Sequence, residues 1–205
     1  MIVIGLTGGI GSGKSTVTQH LKELGAVIVD ADKVGHETYL PETPAWKDLI
    51  ATWGTDLLLP NREIDRKKLG AIVFSDPKNL QTLNGIVHPR LRELLLKKIE
   101  ENRALGTKVL VIEAAILIEA SWQNVVDEVW VAHAPEDVVI KRIMARNNWG
   151  EEQIRARIRS QMTNDERAKH ANVMLDTNCT LEEVRAKVKH LWDERLTGKA
   201  KDHPR

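Results

Sequence analysis

The chain has 205 residues, of which 42% are hydrophobic and 29% charged, and 30 basic against 29 acidic side chains leave a formal net charge of +1. That length suits one α/β domain with insertions, and the charge balance argues against a nucleic-acid protein, which carries a basic excess on one face. The single cysteine, Cys179, excludes an intrachain disulfide and a cysteine metal site.

No apolar run approaches the ~20 residues of a membrane helix. The opening Met1–Leu6 leads straight into Thr7 and Gly8, with no room for a signal peptide. A cytoplasmic chain with neither a nucleic-acid nor a membrane partner is expected.

Ile2–Leu6 reads as the first strand. Lys14–Leu24 carries Val17, Leu21 and Leu24 at helical spacing, and Gly25 stops it. A second strand covers Ala26–Val29. About 80 residues then separate it from the next strand, far more than one crossover helix needs, so a helical subdomain is inserted there. Within it, Leu91–Ala104 is helical by period and ends at Gly106. Val109–Ile112, Glu128–Ala132 and Val173–Leu175 complete the strands, with helices over Pro135–Asn147 and Leu181–Leu196. The polar, Arg-rich stretch Arg146–Lys169 is a second insertion, and the polar tail Thr197–Arg205 is expected to fray. The strands are nearly continuously apolar and do not alternate, as in a parallel sheet covered on both faces. The class is therefore α/β, a parallel five-stranded sheet with an inserted helical subdomain and a lid, and the glycine-rich run Gly8–Ser15 with Lys14, between the first strand and the first helix, makes it one of the P-loop NTPase type.

Gly8-Gly9-Ile10-Gly11-Ser12-Gly13-Lys14-Ser15 fits G-x-x-x-x-G-K-[ST]. Glycines let the backbone curl its N–H groups toward phosphate oxygens. Lys14 can reach the β- and γ-phosphates, Ser15 can ligate Mg²⁺, and the helix start adds its partial positive charge. The pattern follows a strand and opens a helix, as its mechanism requires.

Nucleotide binding alone does not fix the reaction. A guanine-reading N-K-x-D is absent, and so is an ABC-type L-S-G-G-Q; Asp32-Lys33-Val34-Gly35 matches D-x-x-G but has only two fixed positions. A small-molecule kinase is favoured. Such an enzyme needs a group to take the acceptor hydroxyl's proton. The second strand runs out into Val29-Asp30-Ala31-Asp32, at the edge where parallel sheets bind ligands. Asp32 is chosen as that base, and Asp30 suits support of Lys14 or of the metal's waters; either could instead be a helix N-cap. Glu113, at the exit of the third strand, holds the position of an acid that reaches Mg²⁺ through water.

Arg142 and Arg146 share one helical face and suit the charge of a transferring phosphoryl group. Arg155 and Arg159 repeat the spacing but read as a solvated face. Trp122 and Trp130 read as core or interface anchors.

With these residues in place, the sequence resembles the dephospho-coenzyme A kinase family. The carriers are Ile4–Thr16, Asp30-Ala31-Asp32, Ile64-Asp65-Arg66, Leu69, Val73-Phe74, His88-Pro89, Glu113 through Glu119, Gln161-Met162 and Arg167. The likeness spans roughly residues 2–195. It implies ATP-dependent phosphorylation of the ribose 3′-hydroxyl of dephospho-CoA to give CoA and ADP, with another small acceptor such as a nucleoside or nucleotide as the alternative. By this resemblance the core is 1–32, 107–145 and 170–196, the insertion 33–106 holds the acceptor, and 146–169 is the lid. Gly8 through Thr16 with Arg142 and Arg146 would bind nucleotide, Asp32, Lys14 and Arg142 would be catalytic, and Asp32, Asp65, Arg66, His88 and Pro89 would bind the acceptor. Ala115 replaces a proline common in bacterial members, and Asn172, Val173 and Cys179 replace acids and a glycine near the last strand. The segment Glu113–Asn124 looks more like the kinase domain of the animal bifunctional coenzyme A synthase. That leaves open a single kinase domain or one part of a larger synthase.

Overall fold

The computed structural model describes residues 1–197; the expectation for the tail falls mainly on 198–205, outside the described residues. The chain divides into two compact units, one of Met1–Asp30 with the chain from Ile99 onward, the other of Ala31–Lys98. Asp32 thus lies in the second unit, and the C-terminal end of the helix that leaves it lies in the first.

The first unit is built on five parallel strands, β1 (Ile2–Thr7), β2 (Val27–Asp30), β3 (Val109–Glu113), β4 (Glu128–His133) and β5 (Val173–Asp176), in the order β2-β3-β1-β4-β5. Each runs one residue further at its C-terminal end than hydropathy suggests, because Thr7, Asp30, Glu113, His133 and Asp176 are polar yet still paired or in register. Successive residues of a strand face opposite sides. Val3, Ile4 and Leu6 are all buried, so both faces of β1 are covered, as the unbroken apolar runs predict. Helix α1 (Lys14–Glu23) contributes Val17 and Leu21 to one core, together with Ile4, Leu6, Trp130 and Val188 of the C-terminal helix.

Between β4 and β5 come α6 (Glu136–Asn147), α7 (Glu151–Arg159) and α8 (Asn164–Ala168), and α9 (Leu181–Leu191) follows β5. Val139, Ile140, Ile143 and Ile154 join α6 to α7 in a separate core. Beyond α9 a π-helical turn, Trp192–Thr197, carries Arg195 to Glu128. Glu128 is 2% exposed and accepts from Trp130 Nε1 at 2.9 Å, from Arg195 Nε at 2.9 Å and from Arg195 Nη2 at 3.3 Å. A buried carboxylate is tolerated only when paired in this way, so the chain's last described turn is pinned to the start of β4. Trp122 and Trp130 are buried, the core alternative of the two that the sequence offers.

In the second unit, α2 (Ala31–Glu37), α3 (Pro44–Trp53), α4 (Arg66–Ser75) and most of α5 (Pro77–Ala104) are helical. Trp46, Leu49, Leu57, Ile64, Leu69 and Val73 form its core. Thr43 caps α3 by accepting Trp46 N–H at 3.2 Å, with Pro44 at the first helical position. The Trp46 indole donates to Arg62 O at 2.8 Å, fixing the loop ahead of α4. Helix α5 begins fourteen residues before the Leu91 expected from periodicity. The misleading feature is Pro89, which lies inside the helix and cannot donate to the carbonyl of Gly85; the sequence there resembles a helix boundary.

Candidate active site

The phosphate loop leaves β1 at Thr7 and enters α1 at Lys14. Two glycines are required by geometry. A Cβ on Gly8 would stand 2.3 Å from the Ala132 carbonyl of β4, so no side chain fits there. Gly13 has φ 88 and ψ 13, a left-handed conformation that turns the loop into the helix. No side chain caps α1, and its first turn holds no acidic residue. By contrast, α8 and α9 each close their N-termini with a complete capping box, Thr163 with Glu166 and Thr180 with Glu183. The uncapped, positively polarised end of α1 is therefore left for an anion.

That end opens into a cleft of about 440 Å³. Among the described residues lining it are four cations, Lys14, Arg142, Arg146 and Arg157, and no carboxylate. Such a one-signed wall inside a concave site concentrates a polyanion. Ile143, Leu181 and Val184 add apolar surface to the lining, which suits the flat base of a nucleotide.

Arg142 and Arg146 sit on α6, one turn apart, and both reach this cleft. Arg142 is held firmly: its guanidinium donates to the Thr177 carbonyl at 2.6 Å, Thr177 Oγ1 at 3.0 Å and the Gly11 carbonyl at 3.4 Å. Arg146 is exposed and donates to Asn147 Oδ1 at 2.8 Å. Arg157 stacks over Trp149 at 5.5 Å. Arg155 bridges Glu151 and Glu136, the solvated pairing read from sequence.

At the sheet edge, Asp30 and Glu113 are side by side in register. Thr18 Oγ1 of α1 donates to Glu113 Oε2 at 2.7 Å, which orients that carboxylate beside the phosphate loop's helix. The Ser15 hydroxyl is exposed at the helix start. Among the described residues no group of three or more His, Cys, Asp or Glu gathers to hold a metal. Oxygen donors in small number fit Mg²⁺, which keeps waters and is bound through one or two protein groups plus phosphates.

The remaining candidates lie in the second unit, on separate elements. Asp32 is exposed in the first turn of α2. Asp65 is the N-cap of α4, where its Oδ1 accepts Lys67 N–H at 3.0 Å and Lys68 N–H at 3.2 Å; Arg66 beside it is exposed. His88 and Pro89 are within α5, and burial holds the His88 imidazole below its ordinary value.

Two cleft residues escaped the reading of individual side chains. Thr177, 2% exposed, follows β5 and donates from Oγ1 toward Ser12 O at 2.8 Å or His133 O at 3.1 Å while supporting Arg142. Gln161 accepts the Ile10 N–H on Oε1 at 2.9 Å. The available signal for Thr177 was its position one step beyond a strand's C-terminal end, where such sheets bind ligands.

The family model for dephospho-CoA kinase matches residues 2–183. This chain belongs to the dephospho-CoA kinase family. It is 41% identical to the dephospho-CoA kinase of Dehalococcoides mccartyi over 96% of this chain and 98% of that one. Among solved structures it resembles TT1252 from Thermus thermophilus, with TM-score 0.78, 32% identity and coverage of 95% and 97%. It also resembles the dephospho-CoA kinase of Campylobacter jejuni, with TM-score 0.74, 26% identity and coverage of 96% and 98%. The family's P-loop kinase fold is the five-stranded parallel sheet described above. Relatives matched along nearly their whole length lend no support to the likeness of Glu113–Asn124 to an animal bifunctional synthase. No helix among the described residues is long and apolar enough to cross a membrane.

Proposed function

We propose that this chain catalyses the last step of coenzyme A biosynthesis, ATP-dependent phosphorylation of the ribose 3′-hydroxyl of dephospho-CoA to give CoA and ADP. One observation carries the reading: an uncapped helix end and a carboxylate-free, four-cation cleft, on a chain matched to the family from residue 2 to residue 183. The cleft supplies a site for the triphosphate, and the family supplies the acceptor. A nucleoside or nucleotide acceptor has no comparable support.

In this reading the backbone from Gly8 to Thr16 wraps the phosphates, and Lys14 bridges the β- and γ-groups. Arg142, already immobilised by Thr177, meets charge that grows on the transferring group without reorganising. Arg146 closes over it from the lid, residues 146–169. Mg²⁺ bound with the nucleotide would be held by the Ser15 hydroxyl and, through water, by Glu113, and would offset the phosphate charge. Asp32 takes the proton of the 3′-hydroxyl as its oxygen bonds to the γ-phosphorus and the bond to ADP breaks. The insertion, residues 33–106, holds the acceptor, with Asp65, Arg66, His88 and Pro89 as its contacts. The setting is the cytoplasm.

The direct test is incubation with ATP, Mg²⁺ and dephospho-CoA, followed by mass detection of CoA and ADP. CoA should form in one-to-one ratio with ADP, and a panel of nucleosides and nucleotides should give far less product. A nucleoside product with no CoA would overturn the assignment.

A further inference from the structure

Gln161 stands between α7 and the capping box that opens α8. Its Oε1 lies 2.9 Å from the Ile10 nitrogen. A backbone N–H only donates, so the oxygen of this amide must face the loop. The peptide behind it is fixed. Arg167, 2% exposed, donates from Nη1 to the Met162 carbonyl and from Nη2 to Glu119 Oε1 at 3.2 Å. Both side chains press on the loop: a Cβ at Gly9 would stand 3.3 Å from Gln161 Oε1 and 3.4 Å from Arg167 Nη1. A long side chain loses rotamer freedom when held like this, and the buried arginine behind it pre-organises the contact.

With its oxygen on the loop, the amide still carries two N–H donors on Nε2, and Gln161 lines the nucleotide cleft. Its position along the cleft matters. Leu181 and Val184 follow closely after Thr177, the residue a Cβ on Gly13 would meet at the helix end of the loop; Gly9 and Ile10 are at the strand end. With the base of a nucleotide set against Leu181 and Val184, its outermost phosphate would lie toward Ile10 and Gln161.

We propose that Gln161 is a specificity-determining residue for the phosphoryl donor: Oε1 anchors on the Ile10 N–H and directs the Nε2 donors at the terminal phosphate, so that the enzyme separates ATP from ADP. This rests on reading the cleft as the ATP site. Gln161→Glu keeps an acceptor for Ile10 and replaces both donors with an anionic oxygen. Gln161→Ala removes both functions.

Titration calorimetry of the full chain with Mg-ATP and with Mg-ADP is the test, with melting curves to confirm folding. Loss of a hydrogen bond to a charged group should weaken ATP binding about ten- to a hundredfold in Gln161→Glu, with ADP within about twofold of wild type. Gln161→Ala should weaken ATP about tenfold and ADP less. Parallel weakening of both nucleotides would make Gln161 only a strut of the loop and overturn the proposal, as would no change in either. Wild-type protein that binds ATP more tightly than Gln161→Glu does but forms no CoA would sink the acceptor assignment and leave the role of Gln161 standing.

Discussion

Gly13→Ala tests the loop where its geometry is tightest. The backbone at Gly13 has φ +88, a conformation costing an L-residue about 1–2 kcal/mol. The added methyl would also stand 2.9 Å from Thr177 Oγ1 and 3.1 Å from both its Cβ and Cγ2. Thr177 cannot swing aside cheaply, because its hydroxyl and carbonyl hold Arg142 and its hydroxyl also faces Ser12 O. Overpacking of this kind costs about 1–3 kcal/mol. The two contributions sum to about 2–5 kcal/mol, or a melting temperature lower by roughly 5–20 °C for a chain of this size. Thr177→Ala removes two of the three crowding atoms and costs about 1–3 kcal/mol by itself through the lost buried hydrogen bonds. If crowding contributes, the double variant should be more stable than the sum of the single effects by about 1 kcal/mol or more. Urea denaturation of the four proteins measures this, and Mg-ADP calorimetry reports the loop's binding geometry, which Gly13→Ala should impair. Strict additivity, with ADP affinity intact in Gly13→Ala, would refute the packing argument.

Asp32→Asn should lower kcat with dephospho-CoA about 10²–10⁴-fold while leaving ATP affinity nearly unchanged; a near-normal kcat removes Asp32 from the base role. Arg195→Met removes the cation that pairs with the buried Glu128 carboxylate and should cost about 2–4 kcal/mol in urea unfolding. Lys189→Met, which breaks an exposed pair with Asp193, should cost less than about 1 kcal/mol; equal losses would contradict the weight given to burial. The Glu128 carboxylate raises the Arg195 guanidinium further above its ordinary range, so this contribution should not differ between pH 7 and pH 9. His88 behaves oppositely. Burial lowers its imidazole, so the unfolded chain takes up the proton first, and stability is lost as pH falls below about 6.5. His88→Gln should therefore flatten the decline in unfolding free energy between pH 7 and pH 5, and an unchanged slope would show that His88 does not carry it.

What could be read in the sequence is what has a local cause. Val109, Leu110, Val111 and Ile112 are buried without alternation because β3 lies between two neighbours under cover on both faces, and composition alone carries that message. The loop was legible for the same reason: its glycines and lysine act within eight residues, through the backbone they bend. Helix α5 was half legible, since the pattern from Leu91 onward is regular and Pro89 masks the turns before it. Gln161 and Thr177 are different in kind. Ile10 and Gln161 are 151 positions apart, and Ser12 and Thr177 are 165 apart, so no spacing rule links them. What brings Thr177 to the loop is strand order. With β4 beside β1 and β5 beside β4, the residue after Asp176 leaves the sheet at the same edge as the loop, against the exit of β4 at His133. Arg142 then needs a fixed acceptor at that edge, and a threonine supplies both a hydroxyl and a carbonyl. The site's cations are thus written in local sequence, whereas the neutral groups that aim them are specified by topology, and those neutral positions are where substitutions should change donor discrimination without removing a charge.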